Sequence, residues 1–342
     1  MAATVRADTA FTLEADSYAG PVAIRDFTRH WRGDYQGGSD AFLQGRAELT
    51  RRDDRQEFAL LWRYDYLLSF PPATADLYHR YATGRPPVTG SAYPVAITAR
   101  YAEAGGARWS PVLHIGPDIR IMPGINLLKG YKLTDGTVDG SVVFQGAGFG
   151  GRDVGSAGLG VDYHYDEPQL YEDRLGWHPR NPQGEGASLD LRADWTPDQR
   201  RRVSLQLYDV YGLIRWRDVP STRYRFRYTS NPQDHALDGQ LQVDSRFDQR
   251  LWMRGSLSAR YEWPSGWQAG ARLDANRDVM LAQVAGGYRA GAWTGRLLWE
   301  PGTGALGAEI VHPCLTLRWL ADSLNTNRAR RLGVTLAASV PW

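Results

Sequence analysis

Strict alternation of apolar and polar residues is the dominant pattern of this chain, and it is clearest in the last twelve residues. One face of that segment takes Leu332, Val334, Leu336, Ala338, Val340 and Trp342, and the other takes Arg331, Gly333, Thr335, Ala337, Ser339 and Pro341. Side chains of a β-strand point alternately to opposite faces, so a period of two predicts a strand. We therefore predict a terminal strand that ends on an aromatic residue.

Comparable segments recur earlier and predict an antiparallel β-protein. Alternating positions cover residues 42–50, 58–66, 189–194, 222–228, 240–244, 251–261 and 268–274. Short turns containing Pro, Gly, Asn or Asp separate the later segments, and no helical pattern intervenes. This arrangement favours a sandwich, a propeller or a barrel. The sequence has no repeat near 40 residues, which argues against a propeller.

The terminal strand also carries a family resemblance. A long last strand with small or polar residues on one face, and an apolar face closing on Trp342, resembles the Gram-negative outer-membrane β-barrels. The resemblance implies a location in the outer membrane, contact with its lipids, and recognition of Arg331 to Trp342 by the outer-membrane assembly machinery. Pro341 departs from the pattern of the class, although a missing N–H is tolerated at a strand end.

Tryptophan positions favour a membrane barrel over a sandwich. Alternation cannot separate the two, because a sandwich turns its apolar face inward and a barrel turns it to lipid. Six of the 13 tryptophans lie within a residue or two of a predicted turn or a chain end: Trp195, Trp263, Trp267, Trp293, Trp299 and Trp342. An aromatic belt at a membrane interface occupies such positions.

Long polar stretches give an expected strand count. Residues 17–40, 71–93, 166–186 and 321–330 are rich in Gly, Pro and polar residues and predict long loops. If all four lie on the outer side of a barrel, an even number of strands must separate each pair. We predict that residues 1–342 form one all-β domain, a single antiparallel transmembrane barrel of about sixteen strands, within a range of 14–18.

Composition excludes several classes of protein. No run of apolar residues approaches eighteen, and the mean hydropathy of −0.46 also suits a barrel with a polar lumen. A net charge of +2 predicts no nucleic-acid partner. The single cysteine, Cys314, excludes a disulfide framework, and the histidines show no metal-ligand spacing. We therefore predict neither a metal nor a cofactor.

Arginines on the polar faces of the later strands are the candidate solute-binding residues. Arg223, Arg225 and Arg227 alternate along one strand, and side chains two residues apart on a strand lie about 7 Å apart. The polar faces of the following strands add Arg254, Arg260 and Arg272. Lining a lumen, these groups would pass a polar solute, a saccharide or an anion, by charge-assisted hydrogen bonds. The alternative is salt bridging to acids on neighbouring strands, such as Asp244.

A second candidate site lies at the start of the third long loop. Asp162, His164, Asp166 and Glu167 cluster there, and acids with an imidazole at a barrel rim can activate water or a serine. The leading hypothesis is an outer-membrane channel for passage or export of a polar solute. The rivals are an outer-membrane hydrolase or lipid-modifying enzyme that uses this rim, and a structural or receptor barrel that binds partner proteins.

Overall fold

The computed structural model describes residues 8–170, 172–229 and 234–341, and β-strands make up most of them. The strands are β1 (Asp8–Ala19), β2 (Asp40–Arg52), β3 (Gln56–Ser69), β4 (Ala92–Pro111), β5 (Leu113–Ile115), β6 (Ile119–Phe144), β7 (Val154–Tyr165), β8 (Gln183–Trp195), β9 (Arg201–Thr229), β10 (Ala236–Arg250), β11 (Arg254–Glu262), β12 (Trp267–Ala275), β13 (Met280–Ala290), β14 (Trp293–Glu300), β15 (Ala305–His312), β16 (Leu315–Ala321) and β17 (Arg331–Pro341). The helical segments are α1 (Ile24–Phe27), α2 (Pro72–Thr83) and a 3₁₀ turn (Glu172–Leu175). No helix in the described ranges is long and apolar enough to cross a membrane.

Fourteen strand positions close into an antiparallel barrel. Neighbours around the wall are β1, β2, β3, β4, β6, β8, β9 and then β11 through β17. The last of these returns to β1, with Asp8 opposite Pro341 and Tyr18 opposite Arg331. The predicted all-β antiparallel barrel is confirmed, but it has fourteen wall positions rather than about sixteen, with three additional strands.

Interrupted strands explain why the barrel has fewer wall positions than the predicted number of strands. β7 and β8 both pair with β6 and β9 and run in the same direction, so together they occupy one position in the wall. The chain leaves this position after β7 and rejoins it with β8, so the predicted loop at 166–186 does not separate two crossings of the wall. β10 and β11 likewise share one edge of β9, and β5 forms only a short hairpin with β6.

Part of the sheet continues beyond the closed barrel. The long connections 20–39, 70–91 and 322–330 lie at one end, which we call the outer end, and short turns such as 53–55 and 291–292 lie at the inner end. Past the outer end, β7 and β10 flank the last third of β9, while β4 and β6 continue on the other edge of β7. We call these five strand segments the outer extension.

The exterior of the barrel is apolar. Leu60, Leu127 and Leu297 are each exposed over more than 60% of their surface, and the alternating apolar residues of other strands share that face. Exposed tryptophans flank this band: Trp109, Trp195, Trp263, Trp267 and Trp293 toward the inner end, and Trp299 and Trp319 toward the outer end. The predicted positions of Trp195, Trp263, Trp267, Trp293 and Trp299 fit these belts, while Trp342 lies outside the described residues. An apolar band between aromatic belts is the surface that a lipid bilayer requires.

One side of the interior is packed solid. Trp216 on β9 is fully buried, and its indole donates to Gln249 Oε1 at 3.0 Å. Two glycines make room for it, because a Cβ at Gly130 or Gly184 would lie 2.5 or 2.7 Å from the indole. Its packing partners come from four strands, β9 itself included, and from the β10–β11 break: Leu61, Ala102, Ala104, Leu128, Leu133, Ile214, Val219 and Leu251. This cluster, which we call the apolar plug, fills the lumen beside β3, β4, β6 and β9.

Candidate functional site in the barrel lumen

Between the apolar plug and the inner end, buried ion pairs fill the same side of the lumen. Arg108 donates to Glu48 and Glu57 at 2.8 and 2.9 Å, and Arg63 donates to Asp209 Oδ1 at 2.7 Å. All five side chains are buried. Asp209 reaches Arg63 from a bulge in β9, where its φ of +52° and a register shift against β8 turn the carboxylate inward.

Several ion pairs, Arg63–Asp209 among them, cross the lumen rather than bracing neighbouring strands, and two more of this kind stand around Tyr208. Arg46 on β2 pairs with Asp190 on β8 at 3.3 Å, and Arg254 on β11 pairs with Asp65 on β3 at 3.3 Å. The ring of Tyr208 lies between the two guanidinium groups, 4.2 Å from Arg46 and 4.8 Å from Arg254. Because the paired strands stand four and five positions apart around the wall, these contacts divide the lumen into a filled side and an open side.

The open side holds two adjoining cavities along β11–β17 and β1. The outer cavity, about 100 Å³, reaches from Asn276 in the β12–β13 turn down to Arg272 and Arg318. The inner cavity, about 180 Å³, reaches from the same two arginines to Arg202 and Gln268 near the inner end. Arg272 and Arg318 line both cavities, so they stand where the two cavities adjoin.

Positive charge exceeds negative charge around the inner cavity. Arg272 is paired with Asp274 at 2.8 Å, and Arg296 is paired with Glu309. Three further guanidinium groups line the same cavity and have no carboxylate within 4.0 Å among the described residues: Arg202, Arg260 and Arg318. Such a wall attracts anions, because charges in a confined, partly dry space are weakly screened.

The predicted arginines separate into two groups. Arg254, Arg260 and Arg272 face the lumen, where Arg254 forms a cross-lumen pair and the other two line the inner cavity. Arg223, Arg225 and Arg227 lie instead on the outer extension, exposed to solvent, and Arg223 pairs with Asp162 at 3.2 Å. The structure therefore does not bring this row together with the lumen arginines.

Three lumen residues were missed from the sequence. Arg202, Gln283 and Arg318 occupy polar positions of alternating strands, in the same phase as the arginines that were selected. The alternation marked them as inward-facing, but nothing in it distinguished them from Arg296, which has an acidic partner.

The four rim residues do not converge on one site. His164 lies 3.0 Å from Asp244 and stacks on Phe247, with ring centroids 3.9 Å apart, and burial lowers its pKa despite the nearby carboxylate. Asp162 pairs with Arg223, and Glu167 pairs with Lys132 at 2.8 Å.

The remaining rim carboxylate and the nearest hydroxyl have structural partners. Asp166 Oδ1 accepts from the backbone N–H of Leu133 at 3.1 Å. The hydroxyl of Ser221 donates to Asp244 at 2.8 Å, so it is held by the carboxylate and not by the imidazole of His164. In the described part of the chain, no group of three or more His, Cys, Asp or Glu side chains is arranged to hold a metal ion.

The closed antiparallel barrel, its apolar exterior, its two aromatic belts and its charged interior define the class. This is an outer-membrane β-barrel of the Gram-negative type, located in the outer membrane.

Comparisons with known proteins find similar barrels among solved structures. No family model and no curated protein matches the sequence. A mutant of the TodX monoaromatic hydrocarbon channel is similar with a TM-score of 0.46 and 9% identity, covering 98% of this chain and 90% of that one. A Pseudomonas aeruginosa FadL homologue (TM-score 0.40, 12% identity, 99% and 90% covered) and the P. putida toluene transporter TodX (0.40, 8%, 98% and 89%) are similar as well.

Proposed function

We propose that this protein is a narrow outer-membrane channel for small polar solutes, with a preference for anions. The observation that carries the proposal is the pair of adjoining cavities on the open side of the lumen, which extends from the β12–β13 turn toward the inner end. Arg272 and Arg318 stand where the cavities adjoin, and the inner cavity holds three guanidinium groups that have no carboxylate partner among the described residues.

The chemistry of the wall favours a polar solute over a hydrocarbon. Guanidinium groups and amides line the inner cavity, and an apolar solute would displace their water without replacing its hydrogen bonds. The volumes of about 100 and 180 Å³ also favour a small solute. Passage of a larger saccharide would require the cross-lumen pairs of Arg46 and Arg254 to separate.

Planar-bilayer recording tests the channel directly. Refolded protein in a KCl gradient should give small, steady current steps and a reversal potential of the sign set by chloride, because the narrowest part of the path is cationic. Replacing Arg318 by Gln should move the reversal potential toward zero. Arg225→Gln removes the same charge from the outer extension and should leave the reversal potential unchanged. Silence, or selectivity for potassium, would contradict the proposal, and silence would favour a receptor or structural barrel.

A further inference from the structure

The strongest unassigned feature is a buried amide that lacks a partner. Gln283 on β13 is 96% buried, and its Oε1 accepts from Arg318 Nη2 at 2.6 Å. A guanidinium group can only donate, so Arg318 fixes which end of the amide is oxygen. The Nε2 of Gln283 is thereby aimed away from Arg318, and no described residue accepts a hydrogen bond from it although it is buried beside the inner cavity. Buried donors in folded proteins are normally satisfied, so this one calls for an acceptor.

The surrounding groups favour a negatively charged acceptor. Within the described ranges, Arg260 and Arg202 line the same cavity without a carboxylate partner, and Arg318 has only the neutral oxygen of Gln283. The carboxylates of the cavity, Glu309 and the nearby Asp274, are already paired with Arg296 and Arg272. The cavity therefore holds more donors than acceptors and an excess of positive charge.

We propose that the inner cavity is a binding site for an oxyanion, the carboxylate or phosphate group of a small solute. Arg318 and Arg260 supply charge-assisted hydrogen bonds, and Gln283 Nε2 adds a neutral donor. A guanidinium group matches two oxygens of one anion better than a single spherical ion. The site therefore distinguishes oxyanions from chloride. As the site of a solute in transit it rests on the proposed channel, but binding itself does not require conduction.

Thermal unfolding in detergent measures the binding with inorganic phosphate and acetate as probes. At constant ionic strength, replacing chloride by phosphate or acetate should raise the melting temperature, by roughly 4 °C at a hundredfold excess over Kd. Arg260→Gln and Arg318→Gln should abolish this shift. Arg225→Gln, which removes a charge outside the lumen, should retain it. An equal response to chloride, or a shift that survives both lumen variants, would overturn the proposal.

A charge-bearing variant gives an independent test. Gln283→Glu places a carboxylate beside Arg318 and the cavity with little change of shape. It should raise the melting temperature of the anion-free protein and remove the response to phosphate, because the site then contains its own anion. A variant with a lower melting temperature and an unchanged response to phosphate would contradict the site.

Further measurements distinguish a resident anion from a transported one, and failure of the binding site from failure of the channel proposal. Phosphate recovered from protein purified without phosphate would identify a resident ion and overturn the transit site. Reversible block of the bilayer current by phosphate would support a solute passing through it. A phosphate-dependent melting shift without any current would support the binding site while the channel proposal fails. Current that is insensitive to phosphate in a protein that shows no melting shift would remove the site and leave the channel.

Discussion

Replacing Arg63 by alanine is expected to lower the free energy of unfolding by about 3–5 kcal/mol, the usual cost of breaking a buried ion pair from one side. The change leaves the buried Asp209 without a cationic partner, whereas Asp65 keeps Arg254. Guanidinium unfolding of the refolded protein, followed by tryptophan fluorescence, measures the loss.

Two control variants separate charge burial from a general effect of substitution. Arg63→Met combined with Asp209→Asn removes both charges and should recover much of the loss, and asparagine tolerates the positive φ at position 209. Arg246→Ala breaks the exposed pair with Asp248 on the outer extension and should change stability little. Equal losses in Arg63→Ala and Arg246→Ala would contradict the role given to burial.

Replacing Trp216 by alanine is the second change expected to have a large effect, about 3–5 kcal/mol of unfolding free energy. The side chain fills the centre of the apolar plug, and its removal also leaves Gln249 Oε1 without its indole donor. The same unfolding assay measures the loss. Trp293→Ala is the matched control, because that tryptophan lies half-exposed in the inner belt and its removal leaves no internal cavity.

The glycines around Trp216 make this prediction sharper. In the native protein Gly130→Ala should destabilise, since the added Cβ would lie 2.5 Å from the indole. In the Trp216→Ala background the same methyl group enters an empty space and should be neutral or stabilising. Costs that simply add would show that the two residues do not share the packing described here.

Local alternation predicted well whether a side chain points into or out of the barrel. It predicted poorly where along the barrel axis that side chain lies. The polar phase of 189–194 contains Asp190, which is buried in the lumen. Arg225 and Arg260 have the same kind of sequence context, yet one lies on the outer extension and the other beside the inner cavity. A strand that continues past the bilayer keeps its period of two, so the pattern does not show where the membrane ends.

The content of the lumen depends on distances that no local pattern records. Arg46 meets Asp190 across 144 residues of chain, and Arg63 meets Asp209 across 146. Whether an arginine pairs with a carboxylate depends on the relative positions of strands that are not neighbours in the wall. Arg318 and Gln283 therefore gave no sign in the sequence that they would face each other without a carboxylate.

The pairing of β1 with β17 sets the order in which the barrel can form. Those two strands match over eleven residue pairs, and the pair at the inner end joins positions 333 residues apart, Asp8 and Pro341. Contacts so distant in the chain form only after the intervening hairpins have assembled. Until then β1 and β17 would be open edges of a growing sheet, which other strands can join. Closure is thus the last step of assembly, and a variant that weakens this seam should accumulate as unclosed sheet before it loses any hairpin.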